Sequence, residues 1–233
     1  MVSLLGDLNM TDAMEGTHSK PSEFAVKDCA LIAIATGKQD YTLSELRNDL
    51  QTVSHDSIYY HFWGGLLQPR FEEREFNNDF ASWARHFLHD HRLAERLAMV
   101  DPMDYKDLDE LRRDLLDLIE EHLDSESSVS WMRAGRPFEF IRSQIVVFDT
   151  HKRLQQPNEL AQLIPRLSPS SIFYHFIDAR RRIADSSDDF RLWLAGFNGQ
   201  YDALCQDLGG VDPYFGSLSE LREQLTTIFN KYF

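Results

Sequence analysis

Two cysteines in 233 residues, Cys29 and Cys205, are too few for a disulfide framework, and neither has the neighbours of a zinc site or a redox pair. A reducing cytoplasm is the expected compartment. Nowhere does the chain collect the roughly 20 consecutive apolar residues that span a bilayer. Residues 1–23 lack the basic start and apolar run of a secretory signal. Positive charge is scarce as well: 24 Lys and Arg stand against 38 Asp and Glu, a net charge of −14. A field of that sign repels phosphodiester backbones and anionic lipid surfaces, which argues against nucleic-acid and membrane partners. The chain also lacks a glycine-rich phosphate loop, Gly-x-Ser-x-Gly, His-Glu-x-x-His and Cys-x-x-Cys. No cofactor and no metal are therefore expected, and the sequence leans away from an enzyme without excluding one. Apolar residues are not lacking: they make up 42%, with 16 Phe and 4 Trp, enough for a real core.

What the chain does contain, it contains twice. Ser57-Ile58-Tyr59-Tyr60-His61-Phe62 returns as Ser171-Ile172-Phe173-Tyr174-His175-Phe176, 171 − 57 = 114 positions later. Phe24, Thr36, Lys38, Glu45, Leu46 and Ser54 reappear at that offset as Phe138, Thr150, Lys152, Glu159, Leu160 and Ser168. Further along, Asp79-Phe80 with Trp83 matches Asp189-Phe190 with Trp193, and Asp101-Pro102 matches Asp212-Pro213. Order and spacing persist with small insertions, so the sequence predicts a duplicated unit. We expect a flexible arm at 1–22, repeat one at 23–123, a linker at 124–137 and repeat two at 138–233.

Each unit opens on an apolar stretch, Leu31-Ile32-Ala33-Ile34 or Ile145-Val146-Val147-Phe148. The second, with its β-branched residues, reads as a strand; the first, rich in Ala, fits strand or helix equally. About five helices follow. Thr42 and Glu45 are spaced as a capping box, and Leu108, Leu111, Leu115, Leu118 and Ile119 form one helical stripe, repeated by Leu218, Leu221, Leu225, Ile228 and Phe229. The expected fold is α+β, mainly α: a short strand plus about five helices, twice, with the opening strands adjacent about a pseudo-twofold axis.

Duplication also sorts the candidate site residues. A residue kept in both units is explained by the shared fold; one present in a single unit is free to specialise. Tyr60 and His61, with Tyr174 and His175, therefore have two readings. They form an aromatic knot closed by local hydrogen bonds, or they meet a ligand, with His acting as a base near neutral pH. After the second hexapeptide the units diverge: Ile177-Asp178-Ala179-Arg180-Arg181-Arg182 stands where the first has Trp63-Gly64-Gly65-Leu66-Leu67-Gln68. Guanidinium forks suit phosphate or carboxylate, yet successive helical residues point about 100° apart, so three adjacent arginines cannot share one ligand. Nearby Asp178, Asp185, Asp188 and Asp189 offer the alternative of surface ion pairs. The segment around Trp63 and Leu66 reads as interaction patch or core. His86, His89 and His91 with Asp90 have the look of metal ligands but fit an exposed helix end better. The Asp-Pro pairs read as helix stops.

The runs Asp28-Cys29-Ala30-Leu31, Ser57-Ile58-Tyr59-Tyr60-His61-Phe62-Trp63, Asn78-Asp79-Phe80-Ala81 and Phe173-Tyr174-His175-Phe176-Ile177-Asp178-Ala179-Arg180-Arg181-Arg182 resemble a bacterial family classed as a domain of unknown function. The resemblance spans the chain from Phe24 onward and implies no activity and no catalytic residue. The sequence thus predicts a non-catalytic binding or regulatory module. Its partner would be a protein or a small anionic ligand such as a sugar phosphate, at Tyr174, His175, Arg180 and Arg181 with Tyr60 and His61; a homo-oligomer is compatible with this. The rival is an enzyme using His61 or His175 as acid/base in a cleft between the repeats.

Overall fold

In the computed structural model residues 23–68, 75–125, 131–183, 187–213 and 216–233 are described; the N-terminal arm at 1–22, Asp185 and the part 126–130 of the linker lie outside the described residues. The fold is mainly helical with a two-stranded antiparallel sheet, an α+β arrangement. Both apolar openings are strands, β1 (Phe24–Asp40) and β2 (Phe138–Leu154), so the Ala-rich first stretch resolves as strand. Neither is short: each has 17 residues.

The ribbon is symmetric in its details. Leu31 faces Ile145, and 145 − 31 = 114. Register shifts fall between Ala25 and Lys27 and between Ala35 and Gln39, one toward each end of the ribbon. At them Gly37 (φ 81°) and His151 (φ 60°) take the left-handed conformation, again 114 apart. Thr36 and Thr150 explain their recurrence here. The Thr36 hydroxyl donates to the Phe140 carbonyl and accepts from the Lys38 N–H, while Thr150 donates to the Val26 carbonyl and accepts from the Lys152 N–H. Side-chain bonds replace ladder bonds that the bulge breaks, which lets each strand continue past it.

In chain order the helices are α1 (Leu43–Leu50), α2 (His55–Trp63) with a 3-10 turn (Gly64–Leu67), α3 (Asp79–His86), α4 (His91–Ala98) and α5 (Leu108–Ser125). After β2 follow α6 (Pro157–Leu163), α7 (Pro169–Ile172), a π-helix (Phe173–Asp178), α8 (Ala179–Arg182), α9 (Asp189–Ala195), α10 (Asp202–Gly209) and α11 (Leu218–Asn230). The Thr42 capping box forms, and α11 has its own from Ser217 and Glu220. The α5 stripe buries Leu111, Leu115 and Ile119, and the α11 stripe buries Leu218, Leu221, Leu225 and Phe229.

The strands cross over. β2 packs on α2 of the first half, and β1 packs on α7 and the π-helix of the second. Phe138 stacks on Phe80, while Phe24 lies against Phe190 and Trp193. One hydrophobic core therefore runs through both halves, and each large side chain fully buried in it contributes roughly 1.5–3 kcal/mol by leaving water. The expected linker is also tied down: Ala134 N–H donates to the Tyr41 carbonyl, Gly135 N–H to that of Phe87, and the Trp83 indole to that of Arg136.

Candidate functional site

Helix α2 is buried on every side from Ser57 to Trp63, and its hydrogen bonds show what the doubled hexapeptide does. The Ser57 hydroxyl donates to the Ile141 carbonyl (2.8 Å), and the Ile141 N–H donates to His61 Nε2 (3.2 Å). In the other half Ser171 donates to the Lys27 carbonyl (2.6 Å), and the Lys27 N–H donates to His175 Nε2 (2.9 Å). A serine and a histidine four apart on one helix thus satisfy both backbone groups of a single strand residue, as a neighbouring strand would. The partners are not local, as the aromatic-knot reading expected; they lie 80 and 148 residues away, on the strand of the opposite half.

Each imidazole is fixed on its other side. His61 Nδ1 lies 3.0 Å from Asp79 and His175 Nδ1 lies 2.7 Å from Asp189. Because Nε2 accepts from a backbone N–H, the ring proton sits on Nδ1 and is donated to the carboxylate. Burial alone would raise the Asp189 carboxyl, but the bond from His175 and the Arg182 charge hold it below the usual carboxylate range. Both histidines are 2% exposed, and neither lines the cleft described next. Tyr60 is likewise turned away, its hydroxyl accepting from Gln68, and Tyr174 packs its ring beneath the Arg182 guanidinium. Of the six residues that the sequence singled out, the structure brings Arg180 and Arg181 to a cavity, puts His61 and His175 in the clamp, and packs Tyr60 and Tyr174 against those imidazoles.

That cavity is a cleft of about 810 Å³ between the halves. One wall comes from α2 (His55, Asp56, Tyr59, Trp63), one from the loop before α5 and its first turn (residues 102–109), one from β2 (Arg142 to Ile145), and one from Ile177, Arg180 and Arg181. Trp63 and Tyr59 are stacked at 4.7 Å and buried, forming its floor. Trp63 is therefore core and not an exposed patch, with Leu66 and Leu67 packed against that core. Lys106, Arg142, Arg180 and Arg181 put four cations around the cleft, against Asp56, Asp107 and Asp109. Among the described residues the Arg142 guanidinium and the Lys106 ammonium make no hydrogen bond or ion pair.

The three consecutive arginines divide as helical geometry requires. Arg182 turns inward, bonding Asp178 (2.8 Å), Asp189 (3.0 Å) and the Tyr174 carbonyl (3.0 Å). Arg180 lies over the Phe176 ring at 4.5 Å, and Arg181 over Tyr59 at 4.9 Å. Asp178, 2% exposed, takes the Tyr59 hydroxyl across the halves at 2.9 Å. Its place in the first half belongs to Gly64 (178 − 64 = 114), where a Cβ would sit 2.6 Å from the Tyr60 ring. A side chain at that position cannot follow an α-helical turn past the tyrosine. The second half widens into the π-helix instead, which turns the Asp178 carboxylate inward.

Sequence reasoning missed Tyr59, Lys106 and Arg142, and it read Asp178 as a surface partner of the arginines where the structure pairs it with Arg181 and Arg182 as a buried carboxylate. The signal for Tyr59 and Arg142 was present in the duplication. At an offset of 114, Tyr59 stands opposite Phe173, Arg142 opposite Asp28, Arg180 and Arg181 opposite Leu66 and Leu67, and His55 and Asp56 opposite Pro169 and Ser170. The polar lining of the cleft is thus built from positions where the halves disagree. The histidines with the look of metal ligands disperse: His86 pairs with Glu75, His91 with Arg85, and Asp90 with the buried His122. The Asp101 carboxylate accepts from the Met103 N–H, as a helix-stop turn requires.

A mainly helical chain in which two exchanged strands clamp two helical units is the class that fold and site define. A family model described as a family of unknown function (DUF5752) matches residues 21–230, so the chain belongs to that family. A solved structure, that of OrfY from Thermoproteus tenax, has the same fold: TM-score 0.78 at 22% identity, covering 91% of this chain and 97% of the other. A search of curated proteins finds no match. No helix among the described residues is long and apolar enough to cross a membrane.

Proposed function

We propose that the protein is a non-catalytic binding module of the bacterial cytoplasm whose inter-repeat cleft holds one small anionic ligand, a sugar phosphate falling within that class. The observation that carries this is a coincidence of two independent facts. The cleft-lining Asp56, Arg142, Arg180 and Arg181 all stand at positions where the repeats differ in charge. The cleft gathers four cations in a chain of net charge −14, and two of them, Arg142 and Lys106, make no side-chain hydrogen bond or ion pair among the described residues, which leaves them available to an anion. The acid/base alternative at His61 or His175 has no support in the geometry, since all four ring nitrogens are engaged and the rings are buried. A protein partner is the second reading, and a different surface favours it: Ile32 (46% exposed) and Phe148 (51% exposed) share the outward face of the ribbon.

The test is a thermal-shift and calorimetric titration with inorganic phosphate, pyrophosphate and sugar phosphates, on the wild type and on Arg142→Met. A ligand at 100 times its dissociation constant stabilises the fold by about 2.7 kcal/mol. Stabilisation at one ligand per chain, lost in Arg142→Met, is expected. A shift of equal size in Arg142→Met, or no shift with any of the anions, would remove the cleft from consideration and leave the ribbon face.

A further inference from the structure

Resting on the cleft reading above, we infer that Arg181 is the arm that takes the anion, and that it does so by exchanging Asp178 for the ligand. Asp178 has more donors than its two oxygens require. Oδ2 accepts from Arg182 (2.8 Å), while Oδ1 accepts from both the Tyr59 hydroxyl (2.9 Å) and Arg181 (3.2 Å). Of the three, Arg181 makes the longest bond. When it leaves, Oδ1 keeps Tyr59 and Oδ2 keeps Arg182, so no buried oxygen loses its last partner.

The Arg181 side chain is 45% exposed and lines the cleft, whereas Asp178 is 2% exposed behind it. Its guanidinium rests on the Tyr59 ring, a contact that keeps the planar group oriented without another directional bond. Arg182 does not line the cleft and is tied to three hydrogen-bond acceptors, on Asp178, Asp189 and the Tyr174 carbonyl. The first half has neither member of the exchange, because Gly64 and Leu67 occupy the places of Asp178 and Arg181.

Asp178 is then a competitor of the ligand, and this gives the exchange a signed test. Pyrophosphate is titrated calorimetrically into the full chain and its variants, with unfolding followed in parallel. Arg181→Met should weaken binding at least tenfold and leave the unfolding temperature within about 2 °C of wild type. Asp178→Asn, which removes the competing charge, should tighten binding about two- to fivefold, the range of a partly exposed ion pair. In the Arg181→Met background the same change should gain nothing. Unchanged affinity in Arg181→Met, with binding still lost in Arg142→Met, would overturn the exchange and leave the cleft reading standing. Where Asp178→Asn does not fold, that comparison decides alone. Failure of the wild type to bind pyrophosphate or any other anion tested would remove both.

Discussion

Replacing either clamp histidine by alanine measures what holds the exchanged strands. In His61→Ala the Ile141 N–H loses its acceptor in a site that the missing ring leaves apolar, which costs about 1–3 kcal/mol. Asp79 loses its imidazole partner, at about 1 kcal/mol for a part-exposed carboxylate. The vacated ring volume, walled by Phe80, Phe138 and Phe140, adds a cavity term. Together these give roughly 3–5 kcal/mol against a total stability on the order of 5–15 kcal/mol. His175→Ala should cost the same within about 1 kcal/mol, because its bonds to the strand N–H and to the carboxylate repeat those of His61. Ser57→Ala and Ser171→Ala, each losing one neutral hydrogen bond, should cost about 1 kcal/mol. Urea unfolding followed by far-UV circular dichroism reads all four, the histidine variants dropping the midpoint by about 1–2 M at a slope near 3 kcal/mol/M. A loss below about 1 kcal/mol in both histidine variants would refute the clamp. A large loss in one with none in the other would refute its equivalence across the halves.

Asp188 caps α9 where Asn78 caps α3, and 188 − 78 = 110. Asn78 donates its second bond to the Leu97 carbonyl, but an ionised Asp188 has no proton to give, and its Oδ2 is buried without a hydrogen-bond partner among the described residues. Burial pushes its carboxyl up to about 6; burial with Asp49 and Glu45 nearby pushes Asp40 to about 7. At these two groups the folded state holds protons that the unfolded chain has released, so their own contribution to stability is greatest below the unfolded carboxylate range and is lost as pH rises from about 4 to about 7. Asp188→Asn should recover on the order of 2 kcal/mol at pH 7.5 and nothing at pH 4, read by denaturant midpoints at both; an equal gain at the two pH values would contradict the argument. Gly64→Ala should cost about 1–3 kcal/mol from its clash with the Tyr60 ring, and a neutral result by thermal unfolding would reopen the origin of the π-helix.

Much of the fold was legible because local rules agreed with it. The Thr42–Glu45 box and the Leu108–Ile119 stripe were read from spacing and are present. Residues 24–36 resisted because Ala-rich apolar sequence has no decisive period, and only pairing with β2 makes them strand. Strand length was hidden for a related reason: Gly37 reads as punctuation, yet here its positive φ forms a bulge that lets the ribbon run on. The clamp was out of reach, since nothing local shows that Ser57 and His61 serve a residue 80 or more positions away. The recurrence of both residues was visible, and so was its implication that they serve the fold.

The cleft follows from the same logic run in reverse. An axis through the Leu31–Ile145 pair imposes one packing problem on both halves, and residues that solve it are held equal: Ser57 and Ser171, His61 and His175, Thr36 and Thr150. A binding surface has no such obligation. On one side of the axis Tyr59, Arg142, Arg180 and Arg181 surround the cavity; the equivalent positions hold Phe173, Asp28, Leu66 and Leu67. Removing cations from one side and adding apolar groups there gives no help to packing on the other, so packing alone does not account for the difference. Even the backbone departs from symmetry at this point, α-helical through Trp63 and π-helical through Asp178. A π turn gives up regular hydrogen-bond geometry, and what it delivers here is a buried carboxylate that holds Arg182 firmly and Arg181 loosely. The asymmetry leaves guanidinium groups facing a cleft, which is the arrangement that the proposed anion site requires.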